Sequence, residues 1–215
     1  MSTRAPRKRL PAKERELQIL HAAARAFARS NFRMAGTAEI AAEAGIAEPT
    51  IYKYFPSKKD LFIRILRRIG ERILEQWKAA AAEEAGAGEA LRRIGKSYLE
   101  AVQTHSDELK LQFQALAESD DADIARQLRK NHSAYVEFLA GLVAQAKKEG
   151  TIRGEVDGYA AGWLLNGIGF TLTMSKLLDF KGKPGRGAER MVLGYLDWIA
   201  PSPPARPGAV EGRRS

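Results

Sequence analysis

Residues 36–60 read GTAEIAAEAGIAEPTIYKYFPSKKD, and they decide the fold. Two short helices flank a tight turn, and a third begins at the end of the stretch. Ile40, Ala41 and Ala44 give the first helix an apolar face. Gly45 supplies the turn, because glycine reaches φ > 0 without a Cβ penalty. Pro49 falls in the first turn of the next helix, where its missing N–H costs no hydrogen bond. That second helix, about 48–54, is expected to expose Glu48, Thr50, Lys53 and Tyr54 and to bury Ile51 and Phe55. This is the pattern of a helix-turn-helix, whose second helix lies in the major groove of DNA.

The flanks extend the pattern. Upstream, Leu17, Leu20, Ala24 and Phe27 recur at spacings of three and four, so a helix over about 13–30 buries one stripe. Asn31 tolerates the left-handed conformation that ends helices, and Phe32 is expected to plug the small core. Downstream, Ser57 can cap a new helix, with Asp60 three residues on as its capping-box partner. Leu61, Phe62, Ile65, Ile69, Ile73 and Trp77 line one side of that helix as far as about Ala82. It would be roughly 40 Å long at 1.5 Å per residue, enough to join one domain to another.

The net charge of +9 is unevenly placed. Residues 1–78 hold 17 Lys/Arg against 8 Asp/Glu, whereas 79–200 hold 15 against 17 and 201–215 hold 3 against 1. The excess therefore lies in the third of the chain with the helix-turn-helix, as polyanion attraction requires. There are no cysteines, which excludes disulfides, thiolate nucleophiles and cysteine-based metal sites. No apolar run approaches the roughly 18 residues of a spanning helix. The basic N-terminus lacks the apolar core of a secretory signal. A cytoplasmic, membrane-free protein is the expectation.

The rest of the chain reads as helical, since Val, Ile and Thr never alternate over a strand length. Helices are expected at about 89–104, 106–118, 122–149, 156–178 and 188–200, making about nine in an all-α fold. The stretch 179–187, rich in glycine and lysine, reads as a mobile loop. Residues 1–12 read as a disordered basic arm and 201–215 as a disordered proline-rich tail. Apolar residues lie nearly all round the helix over 156–178, so it should be buried on more than one side.

Residues 15–66 resemble the DNA-binding domain of the TetR family of transcriptional repressors. The match lies in Ile19, Ala23, Phe27, Glu39-Ile40-Ala41, Ala44-Gly45-Ile46, Pro49-Thr50-Ile51-Tyr52, Tyr54-Phe55, Lys58 and Leu61. Gly36 and Ala47 depart from it, where family members often carry a capping Ser or Thr. The resemblance implies a helix-turn-helix domain over 13–57 and, over 58–200, a helical domain for ligand binding and dimerisation. It implies a homodimer on a palindromic double-stranded operator, released when a small, apolar effector swings the connecting helix and moves the two recognition helices apart. The alternative is a DNA-binding protein whose C-terminal domain only dimerises and has no pocket. A cavity of several hundred Å³ would separate the two.

The residues supply candidate contacts. Lys53 can donate to guanine or to phosphate, and Thr50 can reach a thymine methyl or a phosphate. Tyr54 and Tyr52 can donate to phosphate, and Tyr52 can equally pack in the small domain. Thr37, at a helix N-terminus, and Lys58, at the start of the long helix, are placed for phosphate. Glu48 and Pro49 complete the surface. For the effector, Phe113, Tyr135, Phe138, Trp163, Asn166, Phe170 and Met174 can line an apolar pocket. The last two helices are expected to form the dimer face as a four-helix bundle, with Gly167, Thr171, Met191, Tyr195 and Trp198 in it and Gly162 and Gly169 allowing close approach. His21, His105 and His132 have no ligand spacing, so no metal is expected. Gly182–Gly187 lacks the GK[ST] ending of a phosphate loop. No cofactor and no catalytic grouping are legible, and the chain does not read as an enzyme.

Overall fold

Helix N- and C-caps placed by a few residues cut the chain into its elements. A computed structural model describes residues 11–104 and 106–201, so most of the basic arm, nearly all of the proline-rich tail and His105 lie outside the described residues. Within them are nine helices: α1 (Ala12–Ser30), α2 (Thr37–Ala44), α3 (Glu48–Tyr52), α4 (Lys58–Ala82), α5 (Ala87–Thr104), α6 (Ser106–Ala117), α7 (Ala122–Lys148), α8 (Gly158–Leu177) and α9 (Gly182–Ile199). No strand occurs among the described residues, and no helix there is long and apolar enough to cross a membrane.

Local chemistry accounts for the boundaries. Asn31 ends α1 at φ 89°, and its Oδ1 accepts from the Met34 N–H at 3.0 Å. Gly45 sits left-handed at φ 62° between α2 and α3. Ser57 Oγ accepts from the Asp60 N–H at 3.1 Å and donates to the Asp60 carboxylate at 2.6 Å. Asp121 caps α7 by accepting from the N–H groups of Asp123 and Ile124, and Asp157 caps α8 through Ala160. At Gly36 and Ala47, α2 and α3 begin without a side-chain cap.

Two apolar cores result. The first joins Ile19, Phe27, Ile40, Ile51, Phe55, Leu61 and Phe62 from α1–α4. Phe32 stacks on Phe62 at 4.6 Å between centroids, and Phe27 meets both rings edge-on. Leu111 and Ala115 of α6 and Ile124 and Leu128 of α7 belong to the same core. The second core gathers Trp77, Leu91, Ile94, Tyr135, Leu139, Leu165, Leu172, Val192, Tyr195 and Ile199 from α4, α5 and α7–α9.

Three sequence expectations change. Helix α3 stops at Tyr52, not at about residue 54. Lys53 and Tyr54 lie in the turn after it, so Tyr54 rotates to pack partly against the first core while Tyr52 is 49 % exposed. Residues 182–187, expected in a loop, are helical. Their glycines disfavour helix, but burial of Ala188 and Val192 extends α9 backward, an override of local propensity by packing. Of the three glycines expected at the dimer face, two serve packing within the chain: a Cβ on Gly162 would sit 3.0 Å from the Val136 carbonyl oxygen, and one on Gly169 2.3 Å from Tyr98.

The crossing of α4 and α7 depends on another glycine. Buried Asn131 reaches from α7 into α4, where its Nδ2 donates to the Leu66 carbonyl at 2.9 Å. The space it needs is supplied by Gly70, since a Cβ there would lie 2.4 Å from Asn131 Cγ. Gly70→Ala should therefore lower stability by about 1–3 kcal/mol, the range for overpacking a core. Urea denaturation measures it, and Asn131→Ala in the same chain should recover part of the loss. An unchanged midpoint in Gly70→Ala would show that the crossing simply widens.

Candidate functional site

Two places gather chemistry: the surface of α2–α3 and a chamber beneath α4–α8. On the surface, Lys53 and Pro49 are exposed and Thr50 is half-buried. Thr37, Glu48 and Tyr52 meet one another: Thr37 Oγ1 donates to Glu48 Oε1 at 2.5 Å and lies 3.0 Å from the Tyr52 hydroxyl. The glutamate is thus tied across the turn to the start of α2. Lys58 does not face outward freely. Its Nζ donates to the carbonyls of Arg33 and Ala35 at 3.0 and 3.1 Å and lies 5.1 Å from the centre of the Phe32 ring. It braces the connection between α1 and α2, because the carbonyls left there after Asn31 need a donor.

Behind this surface, Glu43 of α2 takes hydrogen bonds from Arg29 and from Arg25 of α1, the latter at 2.5 Å. The bond from Arg29 holds its carboxyl below the usual range, assisted by Arg25 and opposed by burial. The pairing clamps α2 to α1 and fixes the angle at which α3 is presented.

The chamber is small and partly open to solvent, with about 380 Å³ between the atoms when the open solvent at its mouth is included. Aromatic side chains make most of its wall: Trp77 from α4, Tyr98 from α5, Phe113 from α6, Tyr135 from α7 and Phe170 from α8. Trp77 lies 5.4 Å from Tyr98 and 5.2 Å from Tyr135, and Phe170 lies 5.6 Å from Phe113 and 5.3 Å from His132. Of the residues expected here from sequence, Phe113, Tyr135, Asn166 and Phe170 line it. Phe138 packs against the second core instead. Trp163 and Met174 do not belong: they are 56 % and 44 % exposed on the outer face of α8. A helix apolar all round gives no sign of which side faces inward.

Sequence reasoning missed His132, Tyr98, Gln112, Thr173 and Trp77. A signal existed for two of them. His132 and Tyr135 stand three apart on α7, as do Asn166, Phe170 and Thr173 at spacings of four and three on α8, so each set shares a helix face. Asn166 Nδ2 lies 3.2 Å from His132 Nδ1. An amide N–H can only donate, so Nδ1 accepts and the neutral imidazole carries its proton on Nε2. That Nε2 is buried with no partner, as is the Tyr135 hydroxyl. Burial lowers the His132 pKa below its ordinary value, although the Asn166 bond opposes the shift. Burial also pushes the Tyr98 and Tyr135 phenols up, so both stay neutral.

Outside the chamber, α8 and α9 present an apolar surface. Trp163, Leu164, Met174 and Leu178 on one helix and Met191 and Trp198 on the other are all exposed, and Gly167 and half-buried Thr171 lie between them. Tyr195 is not on this surface; it is 5 % exposed, within the second core.

Helix α6 connects the two places. Leu109, Gln112 and Phe113 line the chamber, while Leu111 and Ala115 are buried in the first core. Gln114 Nε2 donates to the Phe27 carbonyl at 3.0 Å, and Glu118 pairs with Arg33 at 2.7 Å. Just beyond, Asp121 and Asp123 take Lys59 at 3.1 and 3.0 Å. On the other side Glu108 pairs with Arg72 of α4.

Comparison with known proteins identifies the DNA-facing part. Residues 19–65 match the family model for bacterial regulatory proteins of the TetR family. Over these residues the chain resembles the TetR family. It is 29 % identical over 106 residues, 49 % of its own length and 48 % of the relative's, to the HTH-type transcriptional activator FasR of Mycolicibacterium smegmatis, so the chain spans about half the length of that relative. The chain shares its fold with the regulator FadR of Bacillus subtilis in complex with stearoyl-CoA (TM-score 0.72, 22 % identity, 85 % of this chain and 98 % of that one). It does so equally with a regulator from Saccharomonospora viridis in complex with choline (TM-score 0.79, 23 % identity, 88 % and 100 %). Residues 19–65 thus form a DNA-binding segment like that of bacterial transcriptional regulators.

The His132 shift gives a stability test. Its folded pKa lies below that of a free imidazole, near 6.5. Stability from the neutral ring is fully present above that value and is lost as pH falls toward the folded pKa, where the unfolded chain binds the proton more readily. Wild-type melting temperature should therefore fall more steeply between pH 7.5 and 5 than that of His132→Gln. Parallel curves would remove His132 as the cause.

Proposed function

We propose that the protein is a homodimeric repressor that binds a palindromic operator and leaves it when a small molecule occupies the chamber. The observation that carries this reading is the double commitment of α6. Adjacent residues of one rigid helix serve the chamber wall and the core beneath the DNA-facing surface. A ligand that moves Phe113 must move Leu111 and Ala115, and α4 carries the same strain from Ile73 and Trp77 to Ile65 and Ile69. Both helices can thus change the separation of two recognition helices in a dimer.

In this reading 13–57 form the DNA-binding domain and 58–200 the effector and dimer domain. Lys53, Thr50 and Pro49 face the major groove, Thr37 offers phosphate its backbone N–H at the start of α2, and Glu48 and Tyr52 hold the Thr37 hydroxyl between them. Tyr54 is left for the edge of the interface, and Lys58 acts through the connection it braces. The outer face of α8 and α9 supports a dimer, because so much contiguous apolar surface is unusual on a monomer. Against the reading without a pocket stands the chamber itself, where aromatic rings from five helices leave a space between them. Stearoyl-CoA and choline on the same fold show that architecture alone does not choose the effector.

Two measurements test the reading. Lys53→Ala should weaken binding to duplexes selected from random DNA by about 1–3 kcal/mol and relax one base position; fluorescence anisotropy that finds neither change removes Lys53 from base readout. Sedimentation should give a dimer for the wild type and a folded monomer for Trp163→Arg with Met174→Arg. A wild-type monomer that still binds a palindrome would overturn the dimer.

A further inference from the structure

The chamber has a chemistry of its own. None of its described lining residues carries a charged side chain; they are apolar or aromatic, apart from Gln112, His132, Asn166, Thr173 and the phenols of Tyr98 and Tyr135. Of these polar groups, two have donors already spent. Thr173 donates to the Gly169 carbonyl at 2.8 Å, and the Asn166 amide meets His132 Nδ1. Two others stand open: His132 Nε2, fixed as an N–H donor by its Asn166 contact, and the hydroxyl of Tyr135, a residue only 2 % exposed. A buried donor without an acceptor costs roughly 1–3 kcal/mol, so a molecule that supplies one is favoured by a like amount.

We propose that the effector is an uncharged, planar and largely aromatic molecule bearing one hydrogen-bond-accepting oxygen, which takes the N–H of His132 and the hydroxyl of Tyr135. This rests on the effector-gated reading above. Each feature follows from the wall. The ring of aromatic faces, spaced 5.2–5.6 Å from one another, favours a flat body that stacks or meets ring edges. An anionic ligand finds no cation among the described lining residues, and the unpartnered His132 N–H calls for an acceptor, which a cation does not supply. The small chamber between the rings suits a flat compound, and no described lining cation meets the phosphates of a coenzyme A thioester.

Paired probes test the proposal on the full chain. Benzophenone is compared with diphenylmethane and coumarin with naphthalene, each pair differing chiefly in the oxygen; choline and stearoyl-CoA are the charged alternatives. By calorimetry and thermal shift, the carbonyl compounds should bind about tenfold more tightly than their hydrocarbon partners. Tyr135→Phe and His132→Phe should each reduce that preference while leaving hydrocarbon binding in place. Equal affinities within each pair, or a preference that survives both substitutions, overturn the proposal. So does selective binding of choline or stearoyl-CoA. The wider reading is separated by operator release. If a charged ligand releases the operator while the carbonyl compounds do not bind, only the proposal falls. If none of the probes binds, the proposal falls, and Gly169→Ala decides the rest. Its Cβ forces the Tyr98 ring aside, so operator affinity unchanged in that variant, with its helical circular dichroism intact, would overturn gating itself.

Discussion

Adjacent positions on α6 are committed to different cores, and the rest of the structure follows from that constraint. Leu111 and Ala115 are buried with Phe27 and Phe62 under the helix-turn-helix, whereas Gln112 and Phe113 face the chamber. A helix transmits displacement because its backbone bonds leave little compliance between neighbours. The polar ties at its end act in the same direction. Gln114 holds the C-terminal carbonyls of α1, Glu118 holds Arg33, and the α7 cap holds Lys59. These exposed ion pairs contribute little stability singly. Their value is geometric: they fix the orientation in which the two cores share one helix.

The chamber and the outer apolar face are opposite sides of the same helix. On α8, Leu165, Ile168, Gly169 and Leu172 turn inward while Trp163, Leu164, Gly167 and Met174 turn outward. A chain with one buried face would have needed polar residues outside. Here only Lys176 is charged along the whole of α8, which is why a partner of similar polarity is the natural cover. Close approach of helices within the chain needs Gly162 and Gly169, which leaves Gly167 for the outside.

In the proposed reading the DNA-facing surface separates attraction from selection. Residues 36–60 contain three lysines and four acidic residues, so the positive charge that draws a polyanion lies in the flanks. Within the surface, Glu48 is held by Thr37 and Glu43 by two arginines. Pairing of both carboxylates blunts their repulsion of phosphate and stiffens the frame that presents Lys53 and Thr50.

The sequence by itself determined the helix-turn-helix, the long connecting helix and the all-α class, because these rest on local chemistry. Gly45 at a left-handed turn, Asn31 after α1, Ser57 with Asp60, and apolar stripes of period 3.6 each act within a few residues. It did not determine that α3 ends at Tyr52 or that α9 begins at Gly182, since contacts with distant elements decide both. Nor did it separate Tyr135 and Phe170, which line the chamber, from Trp163 and Met174, which face out. Hydrophobicity marks a residue for burial without saying against what. His132 is the sharpest case. Its spacing from Tyr135 marks a shared helix face and no more; only the packing of α7 on α8 brings Asn166 to one nitrogen and leaves the other buried without a partner beside an aromatic chamber. Tertiary structure decided that, because a group's chemistry depends on the neighbours that displace its water.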